Sequence, residues 1–141
     1  KDSNSMCKKR KIITITVLFV LGVAVSYLQW GREIDVVGSM GTSSENFHEE
    51  HVTFTLNRLI ITDKEKCAEE IIKKCRENDF ASTLFSYDVA KPNALYGTVY
   101  RSRFSMKGQK PLFHFRYTQT ADTLGSYNIV DDPEAFTLVI E

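Results

Sequence analysis

Cysteine is scarce in this sequence, which excludes the small disulfide-rich classes of protein. Three cysteines, Cys7, Cys67 and Cys75, occur among 141 residues, without a Cys-x-x-Cys pair or the Cys/His spacing of a zinc site. Cys67 and Cys75 fall on one predicted helix, where eight positions separate their Cα atoms by about 12 Å, beyond the roughly 7 Å limit for a disulfide. We therefore predict free thiols, with Cys75 in the core and Cys67 nearer its edge.

The sequence motifs of common enzymes are missing as well. There is no Gly-x-Ser-x-Gly segment, the seven glycines do not form a phosphate-binding loop, and His48, His51 and His114 are the three histidines. The run His48-Glu49-Glu50-His51 places its histidines three apart, whereas the zinc-protease motif needs a spacing of four on a helix. We read this run as the solvated start of a strand. We predict no catalytic site, no metal site and no cofactor. The sequence alone does not exclude a glycosidase site, because such a site needs only two carboxylates.

Net positive charge is absent, and the neutral total hides two unlike parts. Residues 1–30 carry a net charge of +4 and the remaining residues carry −4. Nucleic-acid binding depends on clustered positive charge that displaces counterions from phosphates. We therefore do not expect a nucleic acid among the partners.

The most prominent feature is an uncharged apolar run from Ile12 to Leu28, preceded by the basic cluster Lys8-Lys9-Arg10-Lys11. At about 1.5 Å per residue the run measures about 25 Å, a little short of a hydrocarbon core of about 30 Å. Trp30 follows at the position of an interfacial anchor, and the basic cluster predicts a cytoplasmic N-terminus. A signal peptide cleaved before Tyr27 and a buried core segment are the alternatives.

This interpretation divides the chain into four parts. Residues 1–11 are a cytoplasmic basic leader, 12–30 a transmembrane signal anchor, 31–47 a flexible linker and 48–141 an extracytoplasmic domain. The linker is predicted from its Gly- and Ser-rich centre, GSMGTSSEN, with Ile34, Val36 and Val37 extending the helix or resting in the membrane interface. The expected location is the cell membrane, or the medium if the segment is cleaved.

The domain begins with one strand and one helix. Val52, Phe54 and Leu56 alternate with polar residues, as in a half-buried strand. A helix follows over 63–78, with Thr62 as N-cap, Glu65 completing a capping box and Asn78 as a left-handed C-cap. Its apolar stripe predicts that it packs on a sheet. The stripe consists of Ala68, Ile71, Ile72 and Cys75.

Only strands are expected after the helix. They are predicted at 83–87, 94–106, 112–120, 127–130 and 136–140, with turns between them that include 122–125. We therefore predict an α+β fold in which one helix packs on a four- to six-stranded antiparallel sheet, in the order β-α-β-β-β-β. This order resembles the cystatin-like architecture, although the inhibitory Gln-x-Val-x-Gly pattern of cystatins is absent. The resemblance therefore implies topology alone.

One candidate site comes from the long third and fourth strands. Alternation separates the aromatic residues Tyr96, Tyr100, Phe104, Phe113, Phe115 and Tyr117 from a set with Val99 and four basic side chains. Those four are Arg101, Arg103, His114 and Arg116. We expect the aromatic face beneath the helix, and a basic face that is either simply solvated or binds a carboxylate, a phosphate or an anionic polymer.

The sequence therefore predicts a membrane-anchored, non-catalytic binding or assembly module. Its partners are the lipid bilayer, through Ile12 to Leu28, and a protein at the membrane or cell surface. A cleaved and secreted inhibitor or ligand is the alternative, and an enzyme of unknown type is the third hypothesis.

Overall fold

The apolar run lies in a long N-terminal helix. The computed structural model describes residues 2–81, 83–120 and 125–141, which form two units that divide after Arg32. In the first unit, α1 spans Asp2–Ser26 and continues into a π-helical turn, Tyr27–Gly31. Its apolar side chains are exposed on all sides, and the segment Ser3–Gly31 is long and apolar enough to span a membrane or to act as a signal sequence. A buried core helix is therefore not what this segment forms.

Two threonine hydroxyls in the apolar part of α1 form hydrogen bonds within the helix. The hydroxyls of Thr14 and Thr16 donate to the carbonyl oxygens of Arg10 and Ile12, both at 2.8 Å. At the other end, the Arg32 guanidinium donates to the Leu28 carbonyl at 2.9 Å, close to the C-terminus of the π-helical turn. Pairing of the two hydroxyls with backbone carbonyls lowers the cost of placing this part of the helix in an apolar environment.

The second unit begins with a hairpin where a flexible linker was expected. Strand β1 spans Asp35–Ser44 and pairs antiparallel with β2, Phe47–Thr55. The prediction of a linker over 31–47 is therefore wrong for most of its length. Ladder hydrogen bonds use only the backbone, so the small side chains of β1 do not prevent pairing. Ile34 and Val36 also enter the core, with 3% and 5% of their surface exposed, instead of extending α1.

The second helix agrees with the sequence pattern. Helix α2 spans Lys64–Glu77, and Asn78 takes the left-handed conformation as its C-cap. The N-cap is Asp63, one residue later than predicted, because its carboxylate accepts the Lys66 backbone N–H at 3.1 Å. Its apolar stripe is buried against the sheet as expected, and the exposed face is charged.

Three further strands complete a five-stranded sheet in the order β1-β2-β3-β4-β5. They are β3, Ala94–Tyr100, β4, Phe113–Gln119, and β5, Phe136–Ile140. The α+β class is confirmed. Two details differ from the expected order: β1 precedes the first predicted strand, and β2 and β3 are parallel while the other pairs are antiparallel. The chain returns through α2 between these two strands, and such a crossover joins parallel neighbours.

Two of the predicted strands are loops, because side chains take the place of a neighbouring strand. At 83–87 the Asn78 side chain both donates to the Phe85 carbonyl and accepts the Phe85 N–H, each at 2.8 Å. At 127–130 the Asn128 side chain accepts the backbone N–H groups of Val130 and Asp131 in a turn. Of the predicted turn at 122–125, only Gly125 lies within the described residues.

The core lies between α2 and one face of the sheet. The Phe54 ring packs between the rings of Phe80 and Phe115, with centroids 5.9 and 6.0 Å away. Cys67 and Cys75 are free thiols, and Cys75 is fully buried as predicted. Burial raises the pKa of the Cys75 thiol and of the Tyr87 phenol, whose hydroxyl donates to the Cys75 carbonyl at 2.5 Å.

Candidate functional site

The side of the sheet that faces away from α2, here called the outer face, carries the polar and basic side chains. Strand register aligns its residues in two rows that cross the sheet from β1 to β5. The first row is Met40, His51, Tyr96, Arg116 and Val139, and the second is Gly38, Thr53, Thr98, His114 and Glu141. The outer face is therefore a mixed surface in which aromatic, imidazole and guanidinium groups are neighbours.

A stacked pair lies at the centre of the first row. The rings of His51 and Tyr96 are 4.7 Å apart between centroids and nearly parallel, at 9°. His51 also has a polar neighbour, because its Nε2 lies 3.2 Å from the Glu49 carboxylate. The pair presents a flat, partly polar surface on which a planar group can stack.

Arg116 adds a cation beside this pair. Tyr96 and Arg116 are directly opposite each other on β3 and β4. The Arg116 guanidinium is 3.5 Å from the Glu141 carboxylate, and both side chains are about half exposed, at 50% and 57%. An ion pair this exposed contributes only about 0–1 kcal/mol, so a ligand carboxylate can displace Glu141 at low cost. In the second row, Thr98 Oγ1 shares a hydrogen bond with His114 Nδ1 at 3.2 Å.

These residues line an open groove of about 630 Å³. The residues that line it include Gly38, His51, Tyr96 and Arg116, with Gly97 contributing backbone. A groove of this size lies within the roughly 300–1,000 Å³ of small-ligand sites. Its position on an exposed sheet face also suits a segment of another protein.

The structure brings together only two of the four predicted basic residues. His114 and Arg116 lie on the outer face, but β3 ends at Tyr100, so Arg101 and Arg103 lie beyond the sheet. The strand ends because Ser102 and Ser105 form reciprocal side-chain to backbone hydrogen bonds, at 3.0 and 3.3 Å, that start a 3₁₀ turn. The prediction of one face with four basic side chains is wrong in this respect.

The assignment of the aromatic residues is also half right. Phe113, Phe115 and Tyr117 on β4 are buried beneath the helix, as predicted. On β3 the order is reversed: Leu95 and Val99 are buried, while Tyr96 and Tyr100 lie on the outer face. Phe104 is outside the strand and 81% exposed. The alternation was correct, but it does not tell which side of β3 faces the helix, and the register with β4 sets Leu95 and Val99 opposite the buried Tyr117 and Phe113.

The hairpin also contains a chain of hydrogen bonds that the sequence did not predict. His48 Nδ1 is 2.5 Å from Ser43 Oγ, and His48 Nε2 is 2.8 Å from Glu50 Oε1. These residue types are those of a serine nucleophile with its base and carboxylate, but acyl transfer also needs N–H groups aimed at an oxyanion. Ser43 is exposed on β1, and neither it nor His48 lines the outer groove. We interpret these hydrogen bonds as a structural link between β1 and β2, here called the hairpin link.

Asn93 extends the hairpin link to the start of β3. Its side-chain oxygen accepts the His48 N–H at 2.8 Å, and its own N–H donates to the His48 carbonyl at 2.7 Å. Strand alternation thus divides the His48-Glu49-Glu50-His51 run: His48 and Glu50 belong to the hairpin link, and Glu49 and His51 lie on the outer face. Within the described residues, no group of three His, Cys, Asp or Glu side chains could hold a metal ion.

The outer groove is therefore the candidate site, and its side chains are chemically suited to a carboxylate-bearing or planar group. Comparisons of the chain with protein-family models, curated proteins and solved structures find no match.

Proposed function

We propose that this protein is a membrane-anchored, non-catalytic binding module whose outer face holds a carboxylate-bearing segment of a partner protein. The observation that carries the proposal is the position of Arg116, half exposed and directly beside the stacked His51–Tyr96 pair. A guanidinium next to a flat ring surface recognises a carboxylate by charge-assisted hydrogen bonds and the adjoining peptide group by stacking.

The proposed topology has a cytoplasmic N-terminus, a single membrane span and an extracytoplasmic domain. The exposed apolar surface of α1 and the basic residues that precede it support this orientation. Anchoring would confine the domain to a thin layer and raise its effective concentration toward a membrane-bound partner. A groove with low affinity for its partner is then sufficient for assembly.

The three methionines offer a test of the binding site, because each reports a different place: Met6 the leader, Met40 the outer face and Met106 the β3–β4 connection. The full chain, labelled with ¹³C at the methionine methyl groups, would be titrated in uncharged detergent micelles with an acetylated hexaglutamate peptide. We expect the Met40 signal to shift and saturate. Removal of one charge-assisted contact costs about 1.5–3 kcal/mol, so Arg116→Ala should weaken binding about tenfold or more.

Lys73→Ala is the matched control for this experiment, because it also removes one positive charge but lies on the exposed side of α2. Equal weakening by both variants would show that only net charge matters, and the outer-face proposal would be abandoned. A shift of Met106 without a shift of Met40 would place the peptide on the β3–β4 connection instead.

Cys7 gives a test of the topology. It is exposed on the leader side of the apolar run, while Cys67 and Cys75 are buried. In intact cells a membrane-permeant maleimide should label Cys7 and a sulfonated, impermeant maleimide should not. Labelling by both reagents would reverse the orientation.

The alternative is a cleaved domain that acts as a secreted inhibitor or ligand, since an N-terminal apolar helix also describes a signal sequence. Intact mass and N-terminal sequencing of the native protein from membrane and medium separate the two. A mature chain that begins near Tyr27 in the medium would favour secretion, whereas a membrane species that retains the apolar run supports the anchor.

A further inference from the structure

The connection between β3 and β4 combines positive charge with an exposed aromatic side chain. We call residues 101–110 the basic loop. It contains Arg101, Arg103, Lys107 and Lys110, and it has no acidic residue. None of these four cations forms an ion pair with a described side chain, whereas the nearby Arg58 is paired with Glu70 at 2.8 Å. The basic loop therefore keeps an unbalanced positive charge on a domain that is acidic as a whole.

The apolar side chain of the basic loop is held outward by local structure. Phe104 begins a 3₁₀ turn, Phe104–Met106, and is 81% exposed. The reciprocal hydrogen bonds between Ser102 and Ser105 fix the start of this turn, and Gly108, at a φ of 95°, reverses the chain after it. A large aromatic ring held in water in this way suggests a surface that covers it.

The basic loop lies at the end of the sheet where the chain enters from α1. Strands β2 and β3 are parallel, so both end there, and the Asn57 N–H donates to the Arg101 carbonyl at 2.8 Å. The Asn57 side chain donates to the Glu33 carbonyl at 2.9 Å, and Asp35 is paired with Thr55. Glu33 follows Gly31, the last residue of the π-helical turn, by two residues, which is a reach of about 7 Å. Only a short stretch of chain therefore connects α1 to this end of the sheet.

We propose that the basic loop is a second membrane contact, which docks on the anionic headgroups of the bilayer that holds α1. The four cations face lipid phosphates, and Phe104 enters the interfacial layer that aromatic side chains prefer. Ile60, 66% exposed, belongs to the segment after β2 at the same end of the sheet. The exposed Phe104 favours lipid over a free polyanion, because a soluble polymer provides no apolar layer for the ring. The inference rests on the proposed membrane anchor.

Docking at two points would set the orientation of the domain. The outer face runs along the strands and away from the end that carries the basic loop, so it would stay accessible to a partner while the loop is in contact with lipid. A domain held in this way loses less rotational freedom when the partner binds.

The test uses the full chain in lipid nanodiscs, with a tryptophan reporter quenched by brominated lipid. Trp30→Phe removes the single native tryptophan, and Phe104→Trp then places the reporter on the basic loop. Val89→Trp is the matched control, because Val89 is 83% exposed and lies in the connection that leads into the start of β3, away from the loop. Discs are made of phosphatidylcholine alone or with a quarter of phosphatidylglycerol.

We expect the reporter at position 104 to lose most of its emission in discs with phosphatidylglycerol and to be quenched much less in phosphatidylcholine alone. The reporter at position 89 should be unaffected by either lipid. Arg103→Gln with Lys107→Gln should abolish the quenching at position 104.

Three results would overturn the inference: equal quenching at positions 89 and 104, absence of quenching at 104, or quenching that does not depend on phosphatidylglycerol. Quenching of native Trp30 in the unmodified chain reports the anchor separately. If Trp30 is quenched and position 104 is not, the anchor stands and the second contact does not exist. If Trp30 itself is not quenched, the anchor proposal fails together with the inference that depends on it.

Discussion

Gly97 is the residue at which a single added carbon atom should be most informative about the packing of this domain. It lies in the middle of β3 on the helix side, directly opposite Phe115 on β4. A Cβ atom at this position would be 2.0 Å from Cε1 and 2.3 Å from Cζ of the Phe115 ring. Contacts between carbon atoms are optimal at about 3.5–4.0 Å, so Gly97→Ala requires the ring to move by more than 1 Å or so.

The ring has little room to move. Phe115 is 2% exposed, and its ring is already packed against that of Phe54. Overfilling a core costs about 1–3 kcal/mol, and this overlap belongs at the upper end. Replacing glycine by alanine inside a strand returns about 0.5–1 kcal/mol through backbone entropy. We therefore expect Gly97→Ala to lower the free energy of unfolding by about 2 kcal/mol, which corresponds to a fall in Tm of about 10 °C.

The assay is urea unfolding of the full chain in non-ionic detergent, followed by the near-UV circular dichroism of the tyrosines. Gly38→Ala is the control, because among the described residues no atom lies within 4 Å of a Cβ built at Gly38. It should leave stability unchanged or slightly higher. Phe115→Leu removes the ring atoms that clash, so the double variant with Gly97→Ala should recover about 1–2 kcal/mol relative to additivity. Equal stability of the two alanine variants, or additivity in the double variant, would refute the reasoning.

Four further predictions concern the core and the cysteines. Ile72→Asp places an unpaired charge on the buried stripe of α2 and should abolish the folded tyrosine spectrum, whereas Lys73→Asp on the exposed side should keep it; a folded Ile72→Asp protein would contradict the orientation of the helix. Thr55 is fully buried and its hydroxyl has no hydrogen-bond partner among the described residues, so Thr55→Val should raise the urea midpoint by the equivalent of about 1 kcal/mol, and a lower midpoint would indicate a partner for the hydroxyl. Burial raises the pKa of the Cys75 thiol, so mass spectrometry after maleimide treatment should find the exposed Cys7 modified at neutral pH and Cys75 modified only after unfolding. The same raised pKa means that only the unfolded chain ionises Cys75 above its ordinary pKa of 9.0, so alkaline pH should lower stability; a Cys75→Ala protein with the same alkaline profile would show that other groups are responsible.

The elements with strong local signals were predictable from the sequence. The periodic stripe and the caps of α2 identify that helix almost to the residue, and Val52 and Phe54 alternate correctly in β2. These features depend on residues close together in sequence. The long apolar helix is equally local, because its signal is its composition.

The errors occur where a segment is defined by contacts with distant residues. The small, uncharged residues of β1 have no alternating pattern, and only the hairpin with β2 makes them a strand. The Asn78 side chain turns 83–87 into a loop through two hydrogen bonds that no local pattern reveals. Because β1 was expected to be a linker, the cross-strand pairing of Ser43 with His48 could not be anticipated.

The candidate basic site shows how strand register changes a functional interpretation. Alternation along the third strand groups Arg101 and Arg103 with Val99, and the predicted basic face combined that group with His114 and Arg116. The register of β3 with β4 instead places Val99 on the helix side and His114 and Arg116 on the outer face, and Ser102 and Ser105 end the strand after Tyr100, so the four predicted residues do not share a surface. His114 and Arg116 stay on the outer face, while Arg101 and Arg103 join a loop that also exposes Phe104.

The parallel pairing of β2 with β3 determines where these two surfaces lie in the domain. In an antiparallel pair the connection after β3 would leave from the opposite end, far from Glu33. The crossover through α2 instead brings the ends of both strands to the place where the chain arrives from α1. The same crossover covers one side of the sheet with the helix and leaves the outer face open. One topological choice thus separates the basic loop from the outer face, and the two nanodisc reporters and the three methionine signals can examine the roles proposed for them independently.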